Sequence, residues 1–287
     1  MKKLFIVGIT FLLISCASQP KPVDHDEDVA TGEGSNVISA APAPISGKSI
    51  EAASSPPVAA VPKEVQKATA NLLDEAIRSQ SDEKIFKAAT QALLQNSADP
   101  QALNALALSN YKKGKLATAR YLLIKAVQVQ PSAELYNNLG VVHSALEENR
   151  EALQAFRQAF SLNPQDGVIA ANLGAIFVDQ KNYSKAVVAL ETAYHKGLRD
   201  FRVLNNYAIA LTATGKGLQA QGLYERALKD QSNNKDILFN QAILLIEVLK
   251  KYKEGSEVLN RLKFVGGSSE QRSRIKDLEN KVKIGLQ

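Results

Sequence analysis

The stretch ELYNNLGVVHSALEENREALQAFRQAF, Glu134–Phe160, decides how the rest of the chain is read. Its small residues return at a fixed step. Ala152, Ala186 and Ala220 lie 34 residues apart, and so do Ala159, Ala193 and Ala227. Gly140, Gly174, Ala208 and Ala242 keep the same step. One unit earlier, Ala107, Ala119 and Ala126 fit after a one-residue shortening. One unit later, Gly255 and Leu262 fit after a one-residue insertion. Two helices can approach closely only where their facing side chains are small, and here small residues recur in register at three columns. One feature resists this reading. Asn137-Asn138 sits near the start of a helix, although asparagine is a poor helix former because its side chain competes for backbone hydrogen bonds. The same pair recurs at Asn205-Asn206.

These columns resemble the tetratricopeptide repeat family over residues 100–268. The resemblance implies an all-α fold, a right-handed α-solenoid of antiparallel helix pairs. Large apolar residues fill the space between the small ones, such as Tyr136, Leu139 and Phe156 in one unit and Leu204, Tyr207 and Tyr224 in another. Pro131 and Pro164 end second helices as the family pattern expects, whereas Leu198 and Ser232 stand at that place in the next two units. The units are 100–132, 133–166, 167–200, 201–234 and 235–268. Residues 63–99 read as a degenerate first pair, since end units have one face toward water. Residues 269–287 read as a capping helix after Gly266-Gly267. Ser268 and Gln271 have capping-box spacing, and Ile275, Leu278 and Val282 form one apolar face.

The N-terminus carries a different signal. Residues 1–15 hold a short basic start and an apolar run too short to span a bilayer comfortably. LISC, Leu13–Cys16, resembles the lipobox of bacterial lipoproteins. That resemblance implies cleavage before Cys16, the only cysteine in the chain, and its lipidation. Several buried acyl chains anchor firmly, at about 0.8 kcal/mol per methylene. Ala17 and Ser18 follow, and the lack of an Asp after the cysteine resembles an outer-membrane destination, on the inner leaflet facing the periplasm. Residues 16–62 are rich in Pro, Ala, Ser and Gly and read as a disordered tether of roughly 35–40 Å mean span. The tether has two Lys against six Asp and Glu, whereas residues 63–287 have 31 Lys and Arg against 23 Asp and Glu. A basic body can signal nucleic acid, but an export signal excludes that partner here.

No catalytic constellation emerges, so the chain reads as a non-enzyme without cofactor or metal. His25, in VDHDEDVA, belongs to a solvated acidic run rather than a metal site. His143 takes a packing column and His195 the outer side of a second helix. TATGKGLQ lacks the glycine spacing and the Ser/Thr of a phosphate loop.

Alignment of the units then places the asparagines. Asn138, Asn172, Asn206 and Asn240 share one column. The neighbouring column reads Asn104, Asn137, Ala171, Asn205 and Phe239. The family resemblance places both on the concave face, above an apolar floor of Leu108, Val141, Ala175, Ile209 and Ile243, with Arg202 and Lys112 as its cations. Two readings stand. In one, the amides line a peptide-binding groove, and replacing Asn172 and Asn206 with Ala weakens binding while leaving melting nearly unchanged. In the other, they bridge neighbouring first helices. The layout resembles tetratricopeptide lipoproteins such as type IV pilus pilotins. This implies a membrane-anchored scaffold that holds envelope proteins during assembly of a pilus, secretin, motility or secretion machine. The alternative is an adaptor of peptidoglycan hydrolases or synthases. Homo-oligomerisation is left open.

Overall fold

The structure, a computed structural model, describes residues 63–266 and 271–287. The signal peptide, Cys16, the tether with His25, and Ser268 lie outside the described residues. Thirteen α-helices are present among those described. They pair in chain order: α1 (Lys63–Arg78) with α2 (Asp82–Gln95), α3 (Pro100–Lys112) with α4 (Leu116–Val129), and α5 (Ala133–Ala145) with α6 (Asn149–Leu162). The series continues with α7 (Gly167–Asp179) and α8 (Tyr183–His195), then α9 (Phe201–Ala213) and α10 (Gly217–Asp230). α11 (Lys235–Ile243) pairs with α12 (Tyr252–Val265), and α13 (Arg272–Gly285) closes the stack.

Local sequence explains where each first helix begins. Asp99, Ser132, Asp166, Asp200 and Asn234 are the N-caps of α3, α5, α7, α9 and α11. Asp166 Oδ1, for instance, accepts from the amides of Val168 and Ile169 at 2.8 and 3.1 Å. Each cap satisfies donors that the helix itself leaves unpaired. The second helices α4, α6, α8, α10 and α12 start without a side-chain cap. They follow a tight turn with one left-handed residue: Gly114, Glu147, Lys181, Gly215 and Lys250, at φ 72°, 62°, 56°, 79° and 56°.

Packing between the two helices of a pair depends on the small columns. The alanines at 107, 119, 126, 152, 159, 186, 193, 208, 220, 227 and 242 are all fully buried. A Cβ on Gly174 would lie 2.4 Å from Leu190 Cγ, and one on Gly140 would lie 2.6 Å from the Phe156 ring. The degenerate first pair packs through Leu73, Ile85 and Ala89 against Ala102 and Ala105 of α3.

The two irregularities in the repeat are absorbed differently. The shortened unit loses a residue from the turn between α4 and α5. The inserted residue is taken up as a π turn at Leu244–Val248, directly after α11. There Leu249 N donates to Leu244 O at 2.9 Å, and Lys251 N to Leu245 O at 2.7 Å. A π turn adds one residue without ending the helix. It returns Gly255 to its place against Ile246, whose Cγ1 would stand 2.4 Å from an added Cβ.

The capping helix is described over Arg272–Gly285. Gln271 Nε2 donates to Asp236 Oδ1 at 3.3 Å, tying the cap to α11. Ile275, Leu278 and Val282 are buried, as their spacing predicts.

Gly174→Val lowers stability by about 1–3 kcal/mol, the usual cost of overpacking. Gly222→Ala, on an exposed face of α10 with nothing within 4 Å of the new methyl, raises it by roughly 0.5–1 kcal/mol through helix propensity. Urea unfolding of both variants distinguishes the two effects.

Candidate functional site

The concave-face asparagines form a ladder between neighbouring repeats. Asn138 Nδ2 donates to Asn104 Oδ1 at 3.0 Å, Asn172 Nδ2 to Asn137 Oδ1 at 2.9 Å, and Asn240 Nδ2 to Asn205 Oδ1 at 3.2 Å. Each rung runs from the regular column of one unit to the less regular column of the unit before. This is why the two columns are adjacent in sequence: the pair Asn137-Asn138 gives to one neighbour and accepts from the other. The two roles fall on different residues, Asn138 donating and Asn137 accepting, while Asn137 Nδ2 and Asn138 Oδ1 are buried without a hydrogen-bond partner.

One rung is missing. By the same rule Asn206 would donate to residue 171, which is Ala171. Both polar atoms of the Asn206 amide are buried without a hydrogen-bond partner. A buried amide without partners is costly, roughly 1–3 kcal/mol on mutational scales.

This geometry corrects the groove reading for most of the asparagines. Asn137 and Asn138 are 0% exposed, Asn172 and Asn206 1%, and Asn205 3%. A ligand on the concave face cannot touch them, because the neighbouring first helices close over them. Their loss cannot leave melting unchanged, since Asn172 ties α7 to α5. Asn104 at 9% and the half-buried Asn240 keep an edge toward solvent. The expected floor is also largely closed: Leu108, Val141 and Ala175 are buried, while Ile209 and Ile243 are partly open. Arg202 is half-buried and turned back on its own helix start, with Nε donating to Asp200 Oδ1 at 3.0 Å. Lys112 pairs with Asp82 at 2.6 Å.

A cleft of about 330 Å³ at the N-terminal end is lined by the first pair and the next two units. Ile77, Ile85, Leu108 and Leu135 supply its apolar lining, and Asn104, Ser109, Lys112 and Glu134 its polar lining. Asn104 Nδ2 donates to Glu134 Oε1 at 2.9 Å, so the ladder ends on a carboxylate. Desolvation pushes the Glu134 carboxyl above its ordinary range; the Asn104 bond opposes this, and Asp166 adds to it. Sequence reading found Asn104 and Lys112 but missed Glu134 and Ser109. Glu134 has the appearance of an ordinary first-turn acid of α5, and the cleft needs Ile77 and Ile85 from a pair that lacks the register.

His143 is buried, as a packing residue is, and also has a polar role. Its Nδ1 lies 2.5 Å from Glu148 Oε2, and Arg120 donates to Glu148 Oε1. The contacts with His143 and then Arg120 hold the Glu148 carboxyl below the ordinary range. His195 is exposed on α8. Among the described residues no group of three or more His, Cys, Asp or Glu could hold a metal ion.

Residues 133–166 match the family model for the tetratricopeptide repeat. The other helix pairs stack on this matched unit in the same register. The chain is 27% identical over 143 residues to the type IV pilus assembly protein PilF of Pseudomonas aeruginosa, covering 49% of this chain and 57% of that protein. It is 25% identical over 155 residues to the BBSome complex member BBS4 of Bos taurus, covering 52% of this chain and 30% of that protein. Its matched part thus spans well under two thirds of these curated relatives. Among solved structures, YrrB, described as a tetratricopeptide protein with an unusual peptide-binding site, superposes with a TM-score of 0.56 at 19% identity. That match covers 66% of this chain and 97% of YrrB. The Pseudomonas aeruginosa PilF structure superposes with a TM-score of 0.51 at 21% identity, over 65% and 88% of the two chains. Both likenesses concern the fold.

Two outcomes follow from the ladder and the Glu148 contacts. Asn172→Leu severs a rung and lowers stability by about 1–3 kcal/mol, whereas Asn206→Leu, which removes two unpartnered polar atoms, does not lower it; chemical denaturation of the two variants checks this. For Glu148, a lowered carboxyl pKa stabilises the fold above the ordinary carboxylate range, and that contribution disappears as pH falls through the lowered value. The melting temperature of Glu148→Gln is therefore below wild type at neutral pH, and the gap closes on acidification.

Proposed function

We propose that the protein is a lipid-anchored assembly scaffold of a bacterial envelope machine of the pilus, secretin, motility or secretion kind. In this reading Cys16 carries the lipid and sits in the inner leaflet of the outer membrane. The tether lets the repeat body work at a mean distance of roughly 35–40 Å in the periplasm, where the concave face holds a segment of a partner protein. The observation that carries the reading is the coincidence of two independent features. The likeness to PilF, named as a type IV pilus assembly protein, extends over 143 residues of the repeat body. Upstream, LISC places the only cysteine of the chain where a lipobox has it. The solenoid supplies the third element, an extended surface built from units that contact mainly their neighbours.

Within that reading the ladder has a mechanical part. It fixes the spacing of first helices, so the concave face is presented as a preformed surface, and a partner segment need not order it on binding. Asn104, Arg202 and Asn240 are the residues of the two asparagine columns and their flank that reach the surface.

Metabolic labelling with an alkyne fatty acid in the native host tests the anchor. Wild type is labelled and fractionates with the outer membrane, and Cys16→Ser is neither labelled nor retained there. Crosslinking in the same cells recovers components of a pilus, secretin, motility or secretion apparatus. An unlabelled wild-type protein overturns the anchor. Recovery of peptidoglycan hydrolases or synthases alone overturns the machine assignment in favour of the cell-wall adaptor.

A further inference from the structure

The positive charge of the body is gathered at its C-terminal end. Residues 63–249 are near balance, with 21 Lys and Arg against 18 Asp and Glu, whereas residues 250–287 hold 10 against 5. On α13 the cations divide into two sets. Arg274 and Lys281 turn toward Glu247 of the π turn and pair with its carboxylate. Arg272, Lys276 and Lys283 are exposed and belong to no ion pair among the described residues. Steps of four and eleven residues from Arg272 are close to whole helical turns, so the three lie along one flank of α13.

That flank borders a hollow of about 360 Å³ between α12 and α13, whose polar lining is Ser256, Asn260, Lys263, Glu279 and Lys283. Glu279 is the one carboxylate among its lining residues, and Lys263 takes it up, Nζ to Oε1 at 2.7 Å. Lys283 is left as the uncompensated cation of the hollow, with Lys276 and Arg272 on the same flank. Like charges along one helix flank repel each other. An anionic segment laid along them removes that repulsion. The flank from Arg272 to Lys283 is about 16 Å long, which an extended segment of about five residues spans.

The chain carries a matching anion of its own. VDHDEDVA holds Asp24, Asp26, Glu27 and Asp28 within five residues, the densest acidic run in the sequence. We propose that this run docks along Arg272, Lys276 and Lys283 of the same chain. The reach is sufficient. Asp28 lies 35 residues before Lys63, a stretch that extends to at most about 120 Å. The six steps from α1 to α13, at about 10 Å each, total roughly 60 Å. Single exposed ion pairs hold little, but the tether makes the contact intramolecular, so several weak pairs suffice, and salt screens them. The contact itself needs no anchor; its consequence rests on the lipid-anchored reading above. Asp24 stands eight residues after Cys16, so docking draws the C-terminal end of the solenoid to within about 30 Å of the membrane, and release lets the body extend.

The test uses the full chain in non-ionic detergent, with p-benzoylphenylalanine in place of Val29, beside the acidic run. Irradiation at about 0.02 M salt gives a monomeric product in which position 29 is joined to α12 or α13, read by mass spectrometry, and at about 0.5 M salt its yield falls about fivefold or more. Replacing the run by Asp24→Asn, Asp26→Asn, Glu27→Gln and Asp28→Asn gives the same loss, with the melting of the repeat body unchanged. Arg272→Gln, Lys276→Gln and Lys283→Gln together give it as well, with helicity by circular dichroism unchanged. A product that survives high salt or either set of substitutions overturns the inference. So does one spread evenly over the body, or no product at all. A product found only as a crosslinked dimer overturns the intramolecular contact and assigns the run to a second copy. Each of these failures leaves the scaffold reading intact, since that reading rests on fatty-acid labelling and partner recovery.

Discussion

The structure depends on how closely two helices of a repeat can approach. Leu190 and the Phe156 ring occupy space that a methyl group on Gly174 or Gly140 would need. Where a methyl is present, at the alanine columns, it is fully buried. The large residues then fill what remains, and each pair becomes a rigid block with its own packed seam. The same constraint accounts for the π turn at Leu244–Val248. An extra residue there would rotate the following turn out of register, and the wider turn instead returns Gly255 to the seam against Ile246.

Rigid blocks still have to be stacked at a set spacing, and polar groups contribute to that. Burial of asparagine costs least when its amide is paired, and the pairing available here is with the block before. The result is a tie between first helices that is directional, donor from one unit and acceptor from its predecessor. The tie is absent where Ala171 replaces an amide, leaving Asn206 buried and unpartnered. In a solenoid whose stability is a sum of unit and neighbour terms, that contact, between α7 and α9, loses part of its neighbour term. It still has apolar packing, since Ile176, Val203 and Tyr207 belong to the same continuous core.

The register of small residues and the buried face of the capping helix were legible because each follows from spacing. Even the shortened and the lengthened unit could be counted. What spacing could not supply was direction and neighbourhood. Asn138 and Asn137 were placed in two columns, but only their packing reveals that Asn138 reaches Asn104 and Asn172 reaches Asn137, so that both columns are shut away from a ligand. The N-cap series from Asp99 to Asn234 was there to be read, since Asp, Ser and Asn precede each first helix. The cleft was not. It joins Glu134, one turn into a regular unit, to Ile77 and Ile85 of a pair whose pattern had decayed, and no single-sequence column connects them.

The central claim is that the concave-face amides join repeats to each other and are unavailable to a partner. Side-chain amide hydrogen exchange of the free protein, followed by NMR on the Asn NH2 resonances, tests this most directly. The structure predicts slow exchange for the Asn138 and Asn172 side-chain amides, on the scale of the surrounding helix backbone. Exchange of both at the rate of a free asparagine side chain would contradict it.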